Sequence, residues 1–328
     1  MRAAVAERPE GPDALVVREV PRPEPRPGWA LVRVEAFGLN RSEYMTLRGW
    51  SGPDVTFPRI LGIECTGVVE AVAEGSAIAP GTTVAAVMGG MGRQFDGGYA
   101  EYALLPERQL ITLETTLAWD VLGALPETFI TAAGSLATVD LEHGQTLLVR
   151  GATSSVGLAC LELARAAGVR VVATTRSDAK APELRRRGVD AIVREGDGFA
   201  ERAQAVLSSG ADAVVDLIGG PAVLDSLAVV REGGTVCNSG LLGGAWVLPG
   251  FEPIADIPSG RKLTSYQSST AADARVGGPL LRSVVAAVER GTVDPGIDTV
   301  YALDEIAAAH RRMAAGAATG KLVVLPRR

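Results

Sequence analysis

From residue 146 to residue 238, short apolar runs alternate with amphipathic ones, and no other feature of the chain limits its fold as tightly. Residues 146–150 are strand-like and end in a turn of small residues. Val156, Ala159, Cys160, Leu163 and Ala167 then recur at helical spacing as one apolar stripe. Residues 169–175 are again strand-like, 180–187 read as a charged helix closed by Gly188, and 191–193 as a short strand. A helix over 199–207 stops before Gly210, a strand follows over 213–218, Pro221 opens another helix, and a fifth strand covers 234–238. Proline is tolerated where a helix starts because its missing N–H would have no intrahelical partner there. Strands alternating with helices predict a parallel sheet covered on both faces.

The flanks follow a different period. The first ~120 residues are β-rich: 30–36 alternates apolar and polar, 67–72 and 83–87 are further strands, and 99–105 alternates again after Gly97-Gly98. Turn signals at 74–76 and 79–81 separate them. Pro21, Pro23, Pro25 and Pro27 exclude helix before the first of these strands and predict an extended connector. Beyond residue 277 the pattern predicts helices over 280–290 and 304–315 and a terminal strand over 322–325, a tail that should rejoin the N-terminal domain.

Composition narrows the function classes. At ~150 residues per domain, 328 residues predict about two domains. A net charge of −6 with no basic block argues against nucleic-acid partners and against an anionic membrane surface. The N-terminus lacks the apolar run of a secretory signal, and no uncharged apolar stretch approaches the ~18 residues of a membrane span. Three scattered cysteines make no disulfide framework, which fits a reducing, cytoplasmic setting. With two histidines they offer no zinc-finger spacing either.

The small-residue turn Gly151-Ala152-Thr153-Ser154-Ser155-Val156-Gly157 stands where a strand ends and a helix opens. The open N–H groups of a helix start, and its dipole, suit a pyrophosphate there, and small side chains let phosphates approach the backbone. Ser154 occupies the middle-glycine position of the G-x-x-G-x-x-G spacing and could donate to phosphate through its hydroxyl. After the next strand, Thr175-Arg176-Ser177 contains no acid that would bind a ribose 2′-hydroxyl. Arg176 and Lys180 would attract a 2′-phosphate instead, so the cofactor expected is NADP(H) rather than NAD(H).

The ordered set of segments resembles the medium-chain dehydrogenase/reductase superfamily, in its zinc-free quinone-oxidoreductase-like branch. The segments are Gly38-Leu39-Asn40-Arg41-Ser42-Glu43, Gly62-Ile63-Glu64-Cys65-Thr66-Gly67-Val68-Val69, Asp96-Gly97-Gly98-Tyr99-Ala100-Glu101-Tyr102, Asp216-Leu217-Ile218-Gly219-Gly220 and Gly320-Lys321-Leu322-Val323-Val324. The resemblance implies an α/β chain with a GroES-like β-rich catalytic domain over 1–122 and 270–328. Inserted in it would be a Rossmann doubly wound parallel-sheet domain over 123–269 that binds NADP(H). It implies reduction of quinones, or of double bonds conjugated to a carbonyl, and a homodimer.

In zinc-dependent relatives a cysteine ligand stands where this chain has Asn40 and a histidine where it has Ile63, so no metal is expected. Asn40 is the polar group expected at the nicotinamide–substrate junction. By resemblance Thr131 would meet the nicotinamide ribose, and Gly240 and Leu241 would border the nicotinamide. Tyr44, Met45, Trp50 and Phe95 are candidate walls of the substrate cleft; the relatives' tyrosine falls by count on Met45, one place after Tyr44. His143 and His310 read as structural or exposed. Residues 263–267 read as an edge strand that could pair across a two-fold axis. Two alternatives stay open: an enoyl reductase acting on thioester or polyketide-type intermediates, and a non-catalytic NADPH-binding protein.

Overall fold

The structure, a computed structural model, describes residues 1–53, 55–245 and 247–328. It divides into two compact units, one of residues 1–130, 268–291 and 295–328, the other of residues 131–267 and 292–294. Among the described residues no helix is long and apolar enough to cross a membrane.

The first unit is built on antiparallel β-structure. Its long central strand, Trp29–Gly38, pairs with Glu64–Val72, with Tyr102–Pro106 and, at its end, with the C-terminal strand Lys321–Leu325. Thr83–Val87 and Ile111–Thr112 extend the sheet on one side and Ile297–Ala302 on the other. A smaller sheet joins Leu15–Glu19, Arg2–Ala6 and Arg59–Ile60. Their inward faces share one core, in which Phe37 stacks on Tyr99 with ring centroids 4.7 Å apart. The alternation read at 99–105 yields a ladder only from Tyr102, because Tyr99 turns away to accept the Ala4 N–H at 2.8 Å.

Two of the close approaches at glycines in this unit bear on the strand pairing and on Lys321. A Cβ on Gly67 would lie 2.0 Å from the Arg33 carbonyl oxygen across the ladder, and one on Gly38 would lie 2.0 Å from Lys321 Cε. In the tail, the helix read from residue 280 begins earlier and runs Ala274–Glu289, because the Asp273 side chain caps it through the Arg275 N–H at 2.9 Å. The last helix starts as a short 3-10 turn, Leu303–Glu305, before Ile306–Ala314.

The second unit is a six-stranded parallel sheet in the spatial order Ala191–Arg194, Arg170–Thr175, Thr146–Arg150, Ala211–Asp216, Val230–Asn238, Lys262–Ser265. Numbered by sequence this is 3-2-1-4-5-6, the doubly wound arrangement whose order reverses beside its first strand. Leu148, Val172, Val214 and Val236, one from each of four strands, are buried in one core cluster. Helices Ser155–Ala166 and Phe199–Leu207 stand where the apolar periodicity predicts them. The helix read over 180–187 is Ala181–Arg186, with Pro182 in its first turn. Lys262–Ser265 is the edge strand anticipated near 263–267.

Inside this sheet lies a charge that strand patterning gave no hint of. Arg150, 2% exposed, holds Glu195 through two bonds of 3.0 and 2.7 Å and reaches the Ala222 carbonyl and the Ser226 hydroxyl at 2.6 and 3.0 Å. Its guanidinium also lies 3.8 Å over the Phe199 ring. Removing one member of such a pair strands the other charge in the interior. Arg150→Met should therefore cost about 3–5 kcal/mol of stability in urea unfolding, and Arg150→Met with Glu195→Leu should recover most of it.

Candidate active site

In the second unit the turn before helix Ser155–Ala166 is held by its own side chains. Ser154 caps the helix: its hydroxyl accepts from the Gly157 N–H at 3.1 Å and donates to the Gly151 carbonyl at 2.8 Å. That hydroxyl is committed to the turn, and a helix start of this kind leaves the N–H groups of its first turn, here Ser155 and Val156, without intrahelical partners. A Cβ on Gly157 would meet the Gly151 oxygen at 2.6 Å, so the helix can start this close to the strand only with glycine there. Thr174, which the sequence did not single out, accepts the Gly151 N–H on its hydroxyl at 3.0 Å and ties the turn to the neighbouring strand.

That neighbouring strand ends in Thr175, whose hydroxyl accepts from Ser177 N–H at 3.1 Å and so shapes the bend. Arg176 follows it, exposed, and the turn Asp178–Lys180 brings Lys180. Asp178, the nearest acid, is paired with Arg194. On the other side of the first strand, Asp216 is fully buried and receives the Ile218 and Gly219 N–H groups at 2.8 and 3.0 Å and the Ser226 hydroxyl at 2.7 Å. A Cβ on Gly240 would fall 2.3 Å from the Leu217 oxygen, so Gly240 and Leu241 begin a loop that only glycine lets pack so closely. The buried Thr131 belongs to the same corner: its carbonyl accepts from Ser135, whose hydroxyl reaches Ser239 at 2.7 Å, next to Gly240.

In the first unit Asn40 precedes helix Arg41–Leu47 and caps it reciprocally with Glu43, whose carboxylate accepts the Asn40 N–H at 3.0 Å. The Asn40 side chain faces a buried polar cluster. Its Nδ2 donates to Glu64 Oε1 at 2.8 Å and lies 3.4 Å from Glu43 Oε1. Its Oδ1 accepts from Lys321 Nζ at 2.7 Å, and the same ammonium reaches Glu64 Oε1 at 2.6 Å. Glu64 Oε2 accepts the Glu127 N–H at 2.8 Å, Glu127 Oε1 accepts from Ser268 at 2.6 Å, and Glu43 Oε1 takes the Ile63 N–H at 3.0 Å.

Burial raises the carboxyls here, Glu43 to about 7 and Glu127 to about 8, because the charged form loses its hydration. The Tyr99 hydroxyl meets His310 Nε2 at 3.1 Å, and burial alone lowers the His310 pKa to about 3, so that ring is neutral. Of the cleft candidates, Tyr44 is half-buried under the Arg41 guanidinium, Met45 is buried, and Trp50 is half exposed beside Arg48. Phe95 is set apart from these. It packs edge-on to Trp29 at 5.1 Å and lines a groove of about 470 Å³ to which Asn40, Tyr44, Met45 and Trp50 do not contribute.

A family profile described as the alcohol dehydrogenase GroES-like domain matches residues 26–115, and one described as zinc-binding dehydrogenase matches residues 187–324. Human quinone oxidoreductase is 28% identical over 321 residues, which are 96% of this chain and 94% of the human protein. The chain belongs to the medium-chain dehydrogenase/reductase superfamily, in its quinone-oxidoreductase-like branch. A phenolphthiocerol/phthiocerol polyketide synthase polypeptide of Mycobacterium tuberculosis is 30% identical over 340 residues, covering 98% of this chain and 15% of that protein. A mycobacterial protein, Rv1454c, solved in complex with NADPH, superimposes with a TM-score of 0.88 at 25% identity, covering 99% of this chain and all of the other.

The second profile's description implies zinc, and the side chains of this superfamily member do not fit that ion. Ile63 has no lone pair, and the Asn40 oxygen is taken by an ammonium that would repel a dication. Cys65 is buried, and its thiol is pushed up to about 12, far from a thiolate ligand. Among the described residues no three His, Cys, Asp or Glu side chains gather as a metal site.

The raised carboxyl of Glu127 has a measurable sign. An acid whose folded pKa of about 8 exceeds its unfolded value of 4.5 holds its proton in the native state, so its contribution to stability is lost as pH rises between those values. Glu127→Gln should gain stability relative to the unmodified chain from pH 5 to pH 8 in urea unfolding, with little change of the difference outside that window.

Proposed function

We propose that this oxidoreductase takes hydride from NADPH and delivers it, without a metal, to a quinone or to a double bond conjugated to a carbonyl. When bound, NADPH would supply hydride from its nicotinamide ring; the acceptor's oxygen would then gain the electron pair as negative charge, and water would supply the proton. The observation that carries the cofactor choice is the end of the second strand of the parallel sheet. There Thr175, Arg176 and Lys180 follow closely along the chain and the nearest acid, Asp178, is paired with Arg194, which favours a 2′-phosphate over a 2′-hydroxyl. The NADPH complex of the mycobacterial relative supports the same choice.

In this reading Thr153, Ser154, Ser155, Val156 and Gly157 form the pyrophosphate turn, and Thr131, Gly240 and Leu241 border the nicotinamide ribose and ring. Asn40 meets the substrate, with Tyr44, Met45 and Trp50 about it. The reaction asks for orientation, dryness and hydrogen-bond donors at the charged oxygen, all of which side chains supply. The Lys321 ammonium on Asn40 supports a site that runs without zinc. The polyketide synthase relative favours one second reading, an enoyl reductase of thioester intermediates. For oligomeric state, we propose a homodimer paired through the open edge strand Lys262–Ser265, and light scattering should give twice the chain mass.

Steady-state kinetics with 1,4-naphthoquinone, an enone and a crotonyl thioester should show a preference for NADPH, and the fastest acceptor separates the two readings. Arg176→Ala with Lys180→Ala should raise KM for NADPH by about tenfold or more and leave KM for NADH nearly unchanged. A preference for NADH in the unmodified chain overturns the cofactor assignment.

A further inference from the structure

The buried cluster of the first unit contains a closed ring of hydrogen bonds. Lys321 Nζ donates to Asn40 Oδ1 at 2.7 Å and to Glu64 Oε1 at 2.6 Å, and Asn40 Nδ2 donates to that same Glu64 oxygen at 2.8 Å. Only one orientation of the amide satisfies it. Turned over, the amide would set its NH2 against the ammonium and its oxygen against the carboxylate, and both contacts would repel. The ion pair itself is out of reach of any ligand, with Lys321 1% and Glu64 0% exposed, whereas Asn40 is partly open. The second contact of Asn40 Nδ2, to Glu43 Oε1, is long at 3.4 Å, beyond the usual 2.7–3.2 Å of an N–H···O bond, and weak enough to be exchanged for a better acceptor.

We propose that Lys321 is a positioning residue: with Glu64 it locks the Asn40 amide so that the N–H weakly held by Glu43 is offered to the substrate oxygen that gains charge. Donation to the amide oxygen also draws electron density from the nitrogen, so this N–H becomes a stronger donor, as in other hydrogen-bond chains. Gly38 makes the arrangement possible, since a Cβ there would collide with Lys321 Cε at 2.0 Å and with Glu64 Oε1 at 2.6 Å. The inference rests on the proposed reading of Asn40 as the group that meets the substrate.

Lys321→Met alone would leave the Glu64 charge buried and unpaired, so its activity would be confounded with unfolding. The working variant is Lys321→Met with Glu64→Gln, which removes both charges, and its Tm is followed alongside activity. The full-length chain is assayed with NADPH and whichever of 1,4-naphthoquinone, cyclohexenone and a crotonyl thioester it reduces fastest. Asn40→Ala should lower kcat by about 100-fold, the scale of one lost oxyanion donor. The double variant should lower kcat by about tenfold with KM for NADPH within about twofold of the unmodified value. The triple variant should be no slower than Asn40→Ala, because Lys321 acts through that amide.

A double variant at the unmodified kcat, with Asn40→Ala slow, overturns the role of Lys321 and leaves the reading of Asn40 standing. A triple variant in which the two losses multiply overturns it as well, by giving Lys321 an independent effect. Asn40→Ala at the unmodified kcat, or a chain that reduces none of the three acceptors, overturns the reading of the site on which the inference rests.

Discussion

The buried ion pair between Lys321 and Glu64 organises the first unit. Taking two such charges out of water costs several kcal/mol per ion, and only good geometry and further hydrogen bonds offset it. Both conditions hold. Glu64 receives the Lys321 ammonium, the Asn40 amide and the Glu127 N–H, while the ammonium also finds the Asn40 oxygen. Lys321 begins the last strand of the chain, whose Val323 and Val324 lie opposite Gly38 and Phe37. Pairing of that strand and neutralisation of Glu64 are therefore one event, joining residues 257 positions apart.

The two units solve the problem of buried polarity differently. The first concentrates side-chain charge around one amide and raises the pKa values of the flanking Glu43 and Glu127 as a consequence of their burial. The second works mainly through its backbone. Ser154 ties up the turn, Gly157 and Gly240 permit approaches that no other residue could make, and Asp216 collects the N–H groups of the chain that follows it. Its 3-2-1-4-5-6 order brings the ends of strands Thr146–Arg150 and Ala211–Asp216 side by side, where an open sheet of this kind binds ligands. Arg150 with Glu195 and Arg187 with Glu162 add buried ion pairs to it.

Much of this architecture is legible along the chain. Strands Thr83–Val87 and Thr146–Arg150 and helix Phe199–Leu207 end where periodicity and glycine predict, since each buries a face whose repeat is written in adjacent residues. Boundaries slip where a long-range partner decides them. Asp273 draws the helix before Glu289 forward to Ala274, and Tyr99 leaves its strand to meet Ala4. Of the candidate site, the Gly151–Gly157 turn could be singled out from local spacing, and Asn40 through the family resemblance. Lys321 could be read only as part of a short motif, and His310 only as structural or exposed; its burial against Tyr99 comes from a residue 211 positions away.

The sequence by itself determined the alternation of strands and helices, the glycine turn that opens a helix and the missing acid after Thr175. All of these are local, because periodicity, turn chemistry and side-chain identity act over a few residues. Tertiary structure alone decided that Ser154 spends its hydroxyl on the turn, that Phe95 sits with Trp29, and that a lysine near the end of the chain orients the Asn40 amide. Each of those depends on which distant groups share a desolvated space, where a charge must find its partner or not be buried at all.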